Sequence, residues 1–148
     1  MVPPLEELVS AFQFSFFPLQ VLLVEDDGST RSVLQRVLEH YGYSVLATES
    51  ADRALELLGS THVAVDLLVT DVQMPGMQGD ALVRRVREAW PDLPVLFISG
   101  EPRFAGMPSQ AGGRARFLLK PFTPEELMGR VREVLGVPGD AAEVSSST

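Results

Sequence analysis

The 148-residue sequence contains no cysteine and only two histidines. A disulfide framework and any thiolate-ligated zinc or iron–sulfur site are excluded, a histidine metal cage is disfavoured, and a reducing compartment such as the cytoplasm fits. Positive charge is scarce too. Twelve Lys plus Arg stand against 20 Asp plus Glu, a formal net charge of −8 that argues against direct nucleic-acid binding. No basic residue precedes Arg31, so the apolar N-terminal stretch lacks the charged start of a secretory signal. Gln13, Ser15, Pro18 and Gln20 interrupt that stretch too often for membrane insertion. With 45% hydrophobic, 22% charged and 7% aromatic residues, the composition is that of one globular domain, and the length leaves no room for two.

Short runs rich in Val, Leu, Ile and Phe at 21–24, 43–47, 66–70, 94–99 and 116–119 alternate with helical periodicity. That alternation predicts five βα units around a parallel sheet whose strands are buried on both faces. Val33, Leu34, Val37, Leu38 and Tyr41 form one core-facing helical stripe; Ala51, Ala54, Leu55 and Leu58 a second; Leu82, Val83, Val86 and Ala89 a third. Thr123, Pro124 and Glu126 spell a capping box at the start of the last helix, and Gly136 stops it. The fourth helix is the weak one, because Pro102, Gly106, Pro108, Gly112 and Gly113 fall inside 101–114. It is expected to be short, displaced or mobile. Residues 1–18 match none of the units and read as an N-terminal extension, 19–136 as the domain, and 137–148 as a disordered polar tail. Within the extension, Phe12, Phe14 and Phe16 alternate with polar residues like an edge strand, a remnant of a preceding domain or an added packing element. An amphipathic, partner-binding segment over 5–17 is an equal reading.

In a doubly wound sheet the ligand crevice lies at the carboxyl ends of the strands, so the residues that end strands carry the chemistry. The first strand ends in Glu25, Asp26 and Asp27, the third in Asp71, the fourth in Ser99 and Gly100, and the fifth in Lys120. Glu25, Asp26 and Asp71 brought together repel one another unless a cation neutralises them, and an oxygen-only donor set favours magnesium, with manganese as a substitute. A carboxylate beside such an ion, with the Lys120 ammonium and the Ser99 hydroxyl aimed at the same group, makes a site for phosphoryl transfer onto aspartate. Taken singly, each of these residues has a plainer reading, as an N-cap, a turn hydroxyl or a surface lysine. Their joint placement on separate strand ends favours function.

The segments LLVEDD (22–27), TDVQMPGMQGD (70–80), FISG (97–100) and FLLKPF (117–122) resemble the four signatures of the receiver domain of two-component response regulators. The resemblance covers roughly residues 19–135 and implies a flavodoxin-like (βα)5 sandwich with strand order 2-1-3-4-5. It implies that Asp71 accepts the phosphoryl group, that Asp26 ligates magnesium directly, that Glu25 acts through a water, and that the Gln73 main-chain carbonyl completes the protein ligands. Arg31, five positions after Asp26, sets this register and leaves Asp27 as a spare loop acid. The same likeness makes Lys120 the family lysine, followed by a cis peptide to Pro121, and Ser99 the switch hydroxyl. Phe117 falls at the switch aromatic, although packing of a sheet aromatic explains it equally. The resemblance also implies that Gln73 and Glu101 flank the attack path and tune hydrolysis.

What the resemblance implies, then, is a signalling domain that catalyses its own phosphorylation from a histidine kinase or phosphotransfer protein, and its slow dephosphorylation. A switch on the face of the fourth helix, fifth strand and fifth helix would signal to a downstream protein or a covalently linked domain. Arg114 and Arg116, placed before the fifth strand where the winged-helix subclass has acidic residues, count against that subclass's dimer, though not against every homodimer. The flanks are too short for an output domain, so a stand-alone receiver or one cut from a hybrid histidine kinase is expected. Two other readings remain: a phosphorylation-independent binding module on the same fold, and a haloacid-dehalogenase-like phosphatase with Asp26 in DDGST (26–30) as nucleophile. The second expects an acid where Gly28 stands.

Overall fold

The computed structural model describes Pro4, residues 18–60 and residues 62–136. The expectations for residues 1–17 and for the tail from Val137 lie outside the described residues. Five parallel strands, β1 (Gln20–Val24), β2 (Ser44–Thr48), β3 (Leu67–Asp71), β4 (Val95–Ser99) and β5 (Ala115–Leu119), form one sheet in the order β2-β1-β3-β4-β5. Helices α1 (Gly28–His40), α2 (Ala51–Leu58), α3 (Gly79–Ala89), α4 (Met107–Ala111) and α5 (Pro124–Leu135) follow the strands in turn, with a 3-10 turn at Pro102–Phe104 before α4. This is the flavodoxin-like architecture. Its order reverses between β1 and β3, which opens a crevice at their C-terminal ends.

Side-chain alternation along the strands divides the core in two. Leu22, Val24, Leu68, Val95 and Phe97 face α2, α3 and α4, whereas Val21, Leu23, Val69, Leu96 and Ile98 face α1 and α5. Burial on both faces holds for β1, β3 and β4 but not for the outer pair. Edge strands have one neighbour, and Leu119 on β5 is 41% exposed. The stripe expected on α1 is likewise narrower, since Val33 and Tyr41 point to solvent and Leu34 and Leu38 carry the burial. Ala89, at the last turn of α3, is exposed as well.

The capping box of α5 is formed: Thr123 Oγ1 accepts from the Glu126 amide at 3.1 Å, and Glu126 accepts from the Thr123 amide at 2.9 Å. As the glycines and prolines imply, α4 is short, with only five residues. What fixes the chain around it is Arg87. The guanidinium donates to the carbonyls of Gly112 (3.0 Å), Arg114 (2.9 Å) and Leu93, tying the end of α3 to the turn that feeds β5. Gly113 has φ +64 there, and a Cβ on it would fall 2.7 Å from the Pro91 carbonyl.

Gly79 is the second tight point. A Cβ on it would lie inside van der Waals contact of the Asp71 carbonyl oxygen and 3.0 Å from the Val72 Cα, both of them backbone. The Gly79 amide donates to the Val72 carbonyl at 2.8 Å, so the start of α3 is docked directly onto the end of β3. Gly79→Ala is expected to lower the urea unfolding free energy by about 2 kcal/mol or more, as overpacking against an immobile backbone does. Arg87→Ala, which strands carbonyls, is expected to cost about 1–3 kcal/mol.

Candidate functional site

Glu25, Asp71, Ser99 and Lys120 arrive at one edge because four adjacent strands end there. Glu25 follows β1 and is 2% exposed. Its backbone amide continues the sheet by donating to Thr48 at 3.0 Å, which directs its side chain inward. Lys120 reaches across from the end of β5 and donates to Glu25 Oε1 at 2.9 Å and to Asp71 Oδ2 at 3.3 Å. The peptide between Lys120 and Pro121 is cis. Burial alone would push the Lys120 ammonium down; the hydrogen bond it donates to Glu25 and the charge of Asp71 outweigh it and hold the group above its ordinary value.

One oxygen from each of Glu25, Asp26 and Asp71 can be chosen so that all three lie within 4.8 Å of one another. Three carboxylates thus face one ammonium, and the donor set is oxygen only. That excess of negative charge fits a hard divalent cation. The two Glu25 oxygens already accept from Lys120 and, at 3.2 Å, from the Asp27 amide. Asp26 is exposed and Asp71 half-buried, so these two keep the freer faces. Gln73 lies in the exposed loop after β3.

Ser99 is 1% exposed, and its Oγ accepts from the Glu101 amide at 3.0 Å. Phe117 is half-buried, packs on the α2–α3–α4 side of the core, and lies in register with Phe97. Asp27 is more than a spare loop acid: it is the N-cap of α1, accepting from the Thr30 amide at 2.9 Å and hydroxyl at 2.7 Å, and these bonds lower its pKa. The Asp-Gly-Ser-Thr string could have announced that cap. Arg116 lies within β5 rather than before it, 3.8 Å from Glu133 on α5.

Two arginines take part through contacts that the sequence did not announce. Arg31 donates to the carbonyls of Glu25 (2.9 Å) and Asp26 (3.4 Å), holding the acidic loop in place. Arg103 pairs with Glu101 at 2.7 Å and lies over the Phe104 ring at 4.6 Å. A helix that starts on glycine, as α3 does, was the available signal for Gly79.

A doubly wound sheet that ends in three carboxylates, a lysine and a buried serine defines an aspartate-centred site of the receiver type. The response regulator receiver domain profile matches residues 21–132, and the chain belongs to that family. Among curated relatives it is 40% identical over 118 residues to the sensor kinase CckA of Brucella abortus, covering 78% of this chain and 12% of the kinase. It is 35% identical over 136 residues to the response regulator MprA of Mycolicibacterium vanbaalenii, covering 88% of this chain and 57% of the regulator. The chain thus spans about half the length of that regulator and a small part of the kinase. The crystal structure of the chemotaxis response regulator CheY4 of Vibrio cholerae superimposes with TM-score 0.71 at 29% identity, over 79% of this chain and 98% of that one. Among the described residues no helix is long and apolar enough to cross a membrane.

Lys120 also sets a stability test. A lysine whose folded pKa is raised contributes stability that is complete below its unfolded value and is lost as pH rises through the folded one. Lys120→Met, which leaves Glu25 buried without its cation, is expected to lower stability at pH 7 by about 1–3 kcal/mol. The gap to the native chain should narrow above the ordinary lysine value of 10.5. Urea midpoints of both proteins at neutral and strongly alkaline pH check this.

Proposed function

We propose that this chain is the phosphoacceptor of a two-component or phosphorelay pathway in the cytoplasm and that Asp71 receives the phosphoryl group. The observation that carries the reading is the Lys120 ammonium, shared between Glu25 and Asp71 with Asp26 alongside. An Asp71 oxygen forms the new bond to phosphorus while the phosphorus–nitrogen bond of a phosphohistidine, on a histidine kinase or phosphotransfer protein, breaks. Its electron pair stays on the imidazole. Lys120 then moves its contact from the Asp71 carboxylate to a phosphoryl oxygen, and Glu25 keeps it in place. Asp26, Asp71 and the Gln73 carbonyl would hold magnesium, with Glu25 behind a water. When bound, the ion supplies charge compensation for the phosphoryl oxygens. Water later attacks phosphorus, releasing inorganic phosphate and restoring Asp71, with Gln73 and Glu101 beside its path.

The transferred group adds about −1.5 to −2 charge at one strand end. The Ser99 hydroxyl is drawn to it from the Glu101 amide, Phe117 follows inward, and the α4–β5–α5 face changes for its downstream partner or linked domain.

Radiolabelled acetyl phosphate with magnesium should label the native chain but neither Asp71→Asn nor native chain treated with EDTA. Label persisting on Asp71→Asn would move the nucleophile, as the dehalogenase-like reading requires; an unlabelled native chain would leave a phosphorylation-independent binding module. Magnesium alone should raise the urea midpoint of the native chain and leave that of Asp26→Asn unmoved. Ser99→Ala should still be labelled yet lose the amide shifts of α4, β5 and α5 that labelling produces in the native chain; unchanged shifts would sink the coupling.

A further inference from the structure

Arg114 and Arg116 take no part in phosphoryl transfer, yet they belong to a stretch whose charge runs against the rest of the chain. Residues 102–124 hold Arg103, Arg114, Arg116 and Lys120 and no acidic residue, in a protein of net charge −8. That stretch contains β5, which lies at the edge of the sheet. The Arg114 carbonyl accepts from the Val95 amide at 3.0 Å and the Lys120 amide donates to the Ser99 carbonyl at 2.8 Å, so the even-numbered residues turn their backbone groups toward β4. By alternation, the N–H and C=O groups of Phe117 and Leu119 point outward, where among the described residues no further strand lies.

The side chains of β5 alternate as well. On the α5 side, Arg114 donates to the Leu135 carbonyl at 3.0 Å and Arg116 lies 3.8 Å from Glu133. On the α4 side, Phe117 packs into the core and Leu119 is left exposed. Arg116 can change partner cheaply, because its pair with Glu133 is long and solvent-facing. Arg130 holds the same carboxylate at 3.0 Å, so Glu133 keeps a cation when Arg116 leaves it. We propose that the outer edge of β5 docks an extended segment of a partner protein in which acidic and apolar residues alternate. The segment's backbone pairs with the outward groups of Phe117 and Leu119, its carboxylates face Arg114 and Arg116, and its apolar side chains cover Leu119. A period of two in the partner matches the period of two in β5, so an acidic segment without that alternation meets only half of the surface. The docking rests on the α4–β5–α5 reading for its place in signalling, though not for the binding itself.

The test titrates the isotope-labelled full chain, without phosphodonor, with a peptide of alternating glutamate and valine blocked at both ends. The amides of Phe117 and Leu119 should shift and gain protection from hydrogen exchange, while those of β2, the other edge strand, do not. Binding should weaken about tenfold for a peptide of the same composition with its glutamates grouped together, for one with lysine in place of glutamate, and for Arg116→Glu with native core amide shifts. No shift at β5, or equal binding of the grouped or the lysine peptide, would overturn the proposal. Exchange protection of Phe117 and Leu119 in the chain alone would also overturn it, in favour of a second copy if dilution removes the protection and of the chain's own flanks if it does not. Because no phosphodonor is present, a chain that takes no label on Asp71 can still dock the peptide, and the two readings fail separately.

Discussion

Glu25 has almost no contact with solvent, yet it stands beside two further carboxylates. That arrangement exists because the Lys120 ammonium reaches it. At an effective dielectric of about 20, a pair 2.9 Å apart gains roughly 6 kcal/mol of Coulomb energy. Removing the ions from water costs several kcal/mol each. Gain and cost nearly cancel, so the pair adds little net stability. What it gives is position: once Lys120 is fixed to Glu25, its second contact points at Asp71.

The fold brings the ends of β1, β3, β4 and β5 to one edge, and each site residue is then held by something outside the site. Glu25 is directed by the β1–β2 ladder, the acidic loop by Arg31, the end of β3 after Asp71 by the Gly79 amide on the Val72 carbonyl, and Ser99 by the Glu101 amide. Arg87 works at the far end of α3, closing the turn that precedes β5. The helix is therefore anchored at both ends, once to the site and once to the approach of the strand that carries Phe117 and leads to Lys120.

Sequence patterning made most of this legible where the physics is local or periodic. Alternating apolar runs gave the five units, the Thr-Pro-Glu-Glu string gave the cap of α5, and clustered glycine and proline gave the short α4. It failed where exposure depends on tertiary neighbours. Val33 and Tyr41 fit a helical stripe but are exposed, and β2 and β5 read as buried because edge position is not written in a strand's own residues. Strand-end chemistry and motif resemblance brought Asp71, Asp26, Glu25, Ser99 and Lys120 together in advance. Arg31 and Gly79 fall within the family pattern, but their work as a carbonyl clamp and a close-approach residue, like the pairing of Arg103 with Glu101, depends on three-dimensional contacts.

The shortness of α4 joins these threads. In this alternation of five strands and five helices, the connection after β4 leads from buried Ser99 to the surface. Here that connection is a 3-10 turn, a five-residue helix and two glycines with positive φ, each of which makes few backbone hydrogen bonds. Segments of that kind open locally at low free energy, while the strands on either side are buried and fully laddered. The connection also borders a groove between α3 and α4, where Arg103, bonded to the Glu101 carboxylate, lies at the rim. The groove and the strand-end site thus share the segments that follow Asp71 and Ser99, since Val72, Gln73, Arg103 and Phe104 line the first.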